Sequence, residues 1–309
     1  MLRKTLLPEP NGTSLGNVAT FTLETAGRTY HNLRFQALGV GAGTGGTGTV
    51  LDIRNVVEYV RVLVNSKEVM KFNPKELRNL TDYANVTNDS RASDFLDLPL
   101  SRLNVPGSDW PTGRMKKFQV EMKLVAALPV PGGTPNPLNS FTGFRAWGVW
   151  EPLADAPLGN VVTLQTHTPK LPAVGWNSVE SVPALDNIAN LRSIYLVAPA
   201  VAPNLTNGWV RTNVSAVKLS IGGEEVLNTT LAENDEELAV SPFRIKPTQY
   251  GFLVMLDSTN KWQDYGALLD QQGRRMSFKF EYEVVAGATP ETVVMLIDGV
   301  QPAEPAPAA

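Results

Sequence analysis

Cysteine is absent from this 309-residue chain, so it can form no disulfide framework, no thiolate metal site and no Cys nucleophile. Histidine is nearly absent. Only His31 and His167 occur, without an H-x-x-x-H or H-x-H spacing, and a histidine-based zinc centre needs several nitrogen or sulfur ligands. A surplus of positive charge is also missing. The 27 Lys and Arg against 30 Asp and Glu give −3, which is not the footprint of a nucleic-acid binder. No direct nucleic-acid partner is expected. No stretch approaches the ~18 consecutive apolar residues of a membrane span, and Met1–Leu7 lacks the apolar centre of a secretory signal. The Asn-x-Ser/Thr triplets, such as Asn85-Val86-Thr87, therefore read as loop composition. No G-x-S-x-G nucleophile elbow occurs, and both histidines read as structural, His31 in a strand and His167 in a Pro-rich connection. Gly41-Ala42-Gly43-Thr44-Gly45-Gly46 fits a bare G-x-G-x-x-G, but no helix start or Lys-Ser/Thr pair follows to hold an anion. It reads as a surface loop. Neither a catalytic nor a cofactor-binding residue is assigned.

Gly and Pro are plentiful, at 25 and 23, and they fall between short apolar runs, which favours an all-β chain with many turns. The length suggests two domains, each large enough for its own core. The same β-rich unit is written twice. Val57–Met70 (VEYVRVLVNSKEVM) aligns without a gap on Val214–Leu227 (VSAVKLSIGGEEVL), at an offset of 157 residues. Met115–Ala126 (MKKFQVEMKLVA) aligns on Arg275–Ala286 (RMSFKFEYEVVA), at an offset of 160.

Strict alternation marks strands within these blocks. Phe118, Val120, Met122 and Leu124 alternate with Lys117, Gln119, Glu121 and Lys123. Phe278, Phe280, Tyr282 and Val284 alternate with Ser277, Lys279, Glu281 and Glu283. Successive side chains on a strand point to opposite faces, so each has one buried and one wet face, as in a sandwich of antiparallel sheets. Asn65-Ser66 and Gly222-Gly223 tolerate positive φ and suit two-residue hairpins, with the next strands starting at Glu68 and Glu225.

Further strands are predicted at Val18–Leu23, Thr29–Gln36, Phe95–Leu98, Phe144–Trp150, Ser193–Val197, Phe252–Leu256 and Val293–Ile297. Asn73 and Pro74 predict a helix over Pro74–Tyr83, and the acidic stretch Leu231–Leu238 a second short one. Glu151–Gly159 reads as a linker, Gly39–Gly48 and Pro129–Asn139 as long loops, and Gln301–Ala309 as an extended tail.

Oxygen ligands occur in two groups: Asp94 with Asp97, and Glu233, Asp235, Glu236 and Glu237. Paired carboxylates suit glycoside hydrolysis, a cluster suits structural calcium, and an acidic run is also simply the solvated face of a helix. Trp147, Trp150 and Trp110 suit core packing or burial between subunits. Leu2, Arg3 and Lys4 form a basic-apolar end that suits an anionic bilayer surface or a frayed terminus.

Two stretches carry a family resemblance: Gly27-Arg28-Thr29-Tyr30-His31-Asn32-Leu33-Arg34-Phe35, and the strand Val60–Val69 running into Val64-Asn65-Ser66-Lys67. Both resemble the N-terminal half of corticovirus-type major capsid proteins, the double jelly-roll coat proteins of tailless icosahedral phages with an internal membrane. Asn65-Ser66 stands where that resemblance would put Asn-Gly. The resemblance implies two tandem jelly-roll β-sandwiches with short helices in loops, over residues 1–155 and 156–300, with a flexible tail at 301–309. It implies a structural protein and not an enzyme. It also implies homotrimers of pseudo-hexagonal outline that tile an icosahedral shell over lipid. The implied partners are neighbouring trimers, penton and minor capsid proteins and the inner viral membrane, in a virion assembled from chains made in the host cytoplasm. Two other readings fit a duplicated β-protein: a carbohydrate-binding or carbohydrate-cleaving sandwich, and a phage spike or receptor-binding component.

Overall fold

The computed structural model describes residues 2–40, 49–74, 95–101, 105, 107–128, 140–152, 158–170, 172–186, 188–197, 211–240, 251–256, 265–286 and 293–301. They fall into two compact units, divided between Val162 and Thr163, and the strand Val161–His167 that spans this point is counted with the second unit, where it pairs with the last strand. The expected helix beyond Pro74, the loop at 129–139, the glycine-rich loop from 41 and the tail from 302 lie outside the described residues.

The first unit contains β1 (Arg3–Leu6), β2 (Val18–Leu23), β3 (Thr29–Val40), β4 (Thr49–Leu51), β5 (Val57–Val64), β6 (Lys67–Phe72), β7 (Leu96–Pro99), β8 (Trp110–Pro111), β9 (Phe118–Leu124) and β10 (Ser140–Glu151). One of its sheets runs β1-β10-β3, with β4, β7 and β8 also paired to β3. The other runs β2-β9-β5-β6. The second unit contains β11 (Val161–His167), β12 (Gly175–Val179), β13 (Asn190–Val197), β14 (Val214–Ile221), β15 (Glu224–Thr230), β16 (Gly251–Met255), β17 (Gly266–Ala267), β18 (Phe278–Val284) and β19 (Val294–Gln301). Its sheets are β11-β19-β13-β16, with β17 on β13, and β12-β18-β14-β15. Setting aside the short β4, β8 and β17, the eight main strands of each unit follow one rule. The first, eighth, third and sixth form one sheet; the second, seventh, fourth and fifth form the other. That is the eight-stranded jelly roll, twice.

The repeat extends to irregularities. β5 pairs β9 with a bulge between Val57 and Tyr59, and β14 pairs β18 with a bulge between Val214 and Ala216. β5–β6 slips between Val62 and Leu63, and β14–β15 between Leu219 and Ser220. The third strands are bulged beside the eighth at His31 and at Arg192. Even single hydrogen bonds recur: Val125 N–H to Val56 O and Val285 N–H to Asn213 O, each 3.0 Å; Asn65 N–H to Lys117 O and Gly222 N–H to Ser277 O. The hairpin turns match as well, with positive φ at Asn65 (50°), Ser66 (69°), Gly222 (66°) and Gly223 (86°). Two-residue turns of that form match the right-handed twist of the strands they join.

The cores follow the alternation. Phe118, Val120, Met122 and Leu124 are buried, as are Phe278, Phe280, Tyr282 and Val284. In the first unit Phe21 meets Phe35 and Phe144 edge-on at 5.1 and 5.7 Å, a geometry favoured by the ring quadrupoles. The second unit's core joins these β18 residues to Val217 and Leu219 of neighbouring β14 and to Ile194, Phe252 and Met295 of the other sheet.

Several expectations need correction. β3 runs on to Val40, so Gly39 belongs to a strand and not to a loop. A Cβ at Gly39 would lie 2.7 Å from both Leu51 Cδ1 and Ser140 O, which is why a glycine stands there. His167 is the last residue of β11 and not part of a connection. The basic N-terminal end is a paired strand, β1, and not frayed. The strands after the turns begin one residue early, at Lys67 and Glu224. β19 continues to Gln301, β10 spans Ser140–Glu151, and β11 and β12 were not anticipated.

Candidate assembly surfaces

Among the described residues, those singled out in the sequence do not converge. Among the described residues no group of three or more His, Asp or Glu side chains is placed to hold a metal ion. Asp97 is held by Arg34 in a bidentate pair, at 2.6 and 2.8 Å, and that bond raises the guanidinium's pKa. Asp94 lies outside the described residues. Glu233 caps the helix Leu231–Val240. It accepts from the Thr230 backbone N–H and hydroxyl, each at 2.8 Å, while Thr230 Oγ1 faces the Glu233 N–H. These bonds hold the Glu233 carboxyl below its usual range. The acidic run is thus the solvated face of a helix that Asn234 and Leu238 anchor, Asn234 donating to Leu253 O at 2.9 Å. The Thr-x-x-Glu capping box at Thr230–Glu233 was a readable helix-start signal that the acidic count obscured.

His31 has the most chemically suggestive surroundings. Its Nε2 lies 3.0 Å from Glu151 Oε1, its Nδ1 3.1 Å from Asp109 Oδ1, and Ser101 Oγ is 3.4 Å from Nδ1. A Ser-His-acid relay needs the serine on one ring nitrogen and the acid on the other. Here Asp109 takes the serine's nitrogen at the shorter distance, so the ring acts as a brace across the β3 bulge. His167, half-buried, has its pKa lowered by desolvation.

The tryptophans divide. Trp110 is fully buried, tilted against Phe118 at 5.3 Å. Trp150 is buried between cations, Arg28 at 4.2 Å and Arg3 at 5.3 Å, and donates to Thr5 Oγ1 at 2.9 Å. Lys4 lies 5.3 Å over Trp147. Arg3 and Lys4 are therefore held over the β10 aromatics, while Leu2 stays exposed. Trp176 on β12 is exposed, with Lys218 4.6 Å over its ring.

The outward faces of the second sheets differ in charge at matching positions. Lys123 in the first unit stands where the second has Glu283, and Lys71 where it has Asn228. Arg61 is paired with Glu121 at 2.6 Å, and its pKa is raised by that bond. Such broad strand faces and edges suit contacts between proteins.

Comparisons with known proteins agree with the topology. Residues 4–142 match the family model described as viral coat protein P2 N-terminal domain. The chain matches no curated protein by sequence. Among solved structures it is similar to the major capsid protein P2 of bacteriophage PM2, with a TM-score of 0.70 at 12% identity, covering 100% of both chains. It is similar to VP54 of PBCV-1, with a TM-score of 0.69 at 9% identity, covering 97% of this chain and 93% of that one. It is also similar to the STIV MCP, with a TM-score of 0.67 at 11% identity over 97% and 96%. The shared feature is the fold: the chain is a double jelly roll.

Proposed function

We propose that this chain is the major capsid protein of an icosahedral virus, working in the virion as a structural tile. The observation that carries the reading is the duplication of one jelly roll down to its bulges and turns, in a chain whose residues 4–142 match a viral coat domain model. A chain with two near-equivalent lobes gives a trimer six similar lobes, and hence a pseudo-hexagonal outline that packs on a flat facet. The tile would meet neighbouring trimers, penton and minor capsid proteins, and an internal membrane beneath the shell. It acts by shape and surface, without enzymatic chemistry.

Size-exclusion chromatography with light scattering on the purified chain, followed by electron microscopy, tests this. Trimers of three-fold outline with six lobes are expected; a monomer at every concentration would sink the proposal. A spike would share the trimer but not the copy number, hundreds per particle for a tile and few for a spike. Structural calcium is tested separately, by thermal melting with and without a chelator. A lower Tm in chelator supports a bound ion, and superimposable melts remove it.

A further inference from the structure

Because the two units share strand order, register and bulges, each framework position occurs twice and its two burials can be compared. The first and fifth strands differ, in opposite senses. The first strand is bare in the first unit: Leu2 is 59% exposed and Leu6 64%, with Arg3 and Lys4 exposed between them. The corresponding strand of the second unit, β11, is covered, with Val161, Val162, Thr163 and Leu164 all buried. The fifth strand reverses the pattern. Val69 on β6 is 6% exposed, whereas Val226, its counterpart on β15, is 46% exposed beside exposed Glu224 and Glu225.

The two bare strands are both sheet edges. Among the described residues β1 pairs only with β10, and β15 only with β14. Each therefore presents a row of backbone donors and acceptors on its outer side, a template for another strand. Their side chains are complementary: Arg3 and Lys4 on one, Glu224 and Glu225 on the other, each flanked by exposed aliphatics. The two cations are also pre-placed, since the rings of Trp150 and Trp147 hold them along the strand.

We infer that β15 of one copy docks along β1 of the next, Glu224 and Glu225 facing Arg3 and Lys4, and Val226 packing against Leu2 and Leu6. The contact is strand addition, with backbone bonds for affinity and charge for choice of partner. It joins unlike surfaces, so it is heterologous and either closes into a ring or runs on as a filament. Closure after three copies leaves no bare β1 or β15. The inference rests on the trimeric tile proposed above and specifies its interface.

The test uses full-length chain. Glu224→Arg with Glu225→Arg should weaken self-association about tenfold or more, because like charges then face one another, while circular dichroism stays unchanged. Arg3→Glu with Lys4→Glu should do the same, and all four changes together should restore the trimer. Since the chain has no cysteine, Leu6→Cys combined with Val226→Cys should give disulfide-linked trimers on oxidation. Either change alone should give no cross-link. A wild-type chain that never trimerises would overturn both the tile and its interface. Wild-type trimers indifferent to all four reversals, or a cross-link between two copies carrying only Leu6→Cys, would overturn the interface alone. Loss of binding to phosphatidylglycerol vesicles in Arg3→Glu/Lys4→Glu, with trimers intact, would assign the two cations to lipid and overturn it likewise.

Discussion

At the scale of residues, the two jelly rolls solve one local problem with different chemistry. The bulge in the third strand leaves one residue out of register with the eighth, and its side chain must be satisfied beside the bulge. In the first unit it is His31, braced by Glu151 and Asp109. In the second it is Arg192, 3.1 Å from Asp298, whose carboxylate is buried at 1% exposure. Removing one partner of a buried pair leaves an uncompensated charge and costs about 3–5 kcal/mol. Arg192→Met should destabilise the chain by about 3 kcal/mol in urea titration, whereas Arg274→Met, at an exposed pair, should change little. None of these pairings was legible in the sequence, because partners such as Arg192 and Asp298 are more than a hundred residues apart.

At the scale of elements, the hairpin turns were readable and still carry a lesson. Both need positive φ at two positions, and glycine meets that demand without strain. Ser66, at φ 69°, does not. Ser66→Gly should therefore stabilise by about 0.5–1 kcal/mol, read as a higher Tm. Asn65→Gly should not, because Asn65 Oδ1 accepts from the Lys116 and Lys117 N–H groups at 2.8 and 3.2 Å and pins the start of β9. The capped helix gives a pH-dependent case. Glu233's folded pKa lies below its unfolded value, so its contribution is complete above the ordinary carboxylate range and fades as pH falls through the folded value. The stability gap between wild type and Glu233→Ala should shrink steadily on acidification below about pH 4. A gap that stayed constant would show that the carboxylate is not what caps the helix.

At the scale of the whole molecule, β1 belongs to the fold as well as to its surface. It pairs with β10 over four residues, buries Leu7, and supplies Thr5 to the Trp150 indole. Deleting residues 1–8 should lower Tm and shift tryptophan emission to the red as Trp150 meets water. Unchanged emission would show that β10 keeps its aromatics covered without β1.

The sequence by itself determined the duplication, the all-β class, the alternating core strands and the two hairpins. These depend on period and local turn chemistry, which a chain displays one residue after another. It also determined the inventory: with no cysteine and two separated histidines, several chemistries were closed before any folding. Only the tertiary structure decided which strands are neighbours, since a jelly roll pairs first with eighth and second with seventh over long stretches of chain. That pairing made β1 and β15 bare edges, and it placed Arg3 and Lys4 over tryptophans from the unit's last strand. The physical reason is that edge and centre are properties of a strand's partners. A segment such as RKTL reads the same whether its outer side meets water, lipid or the glutamates of another copy.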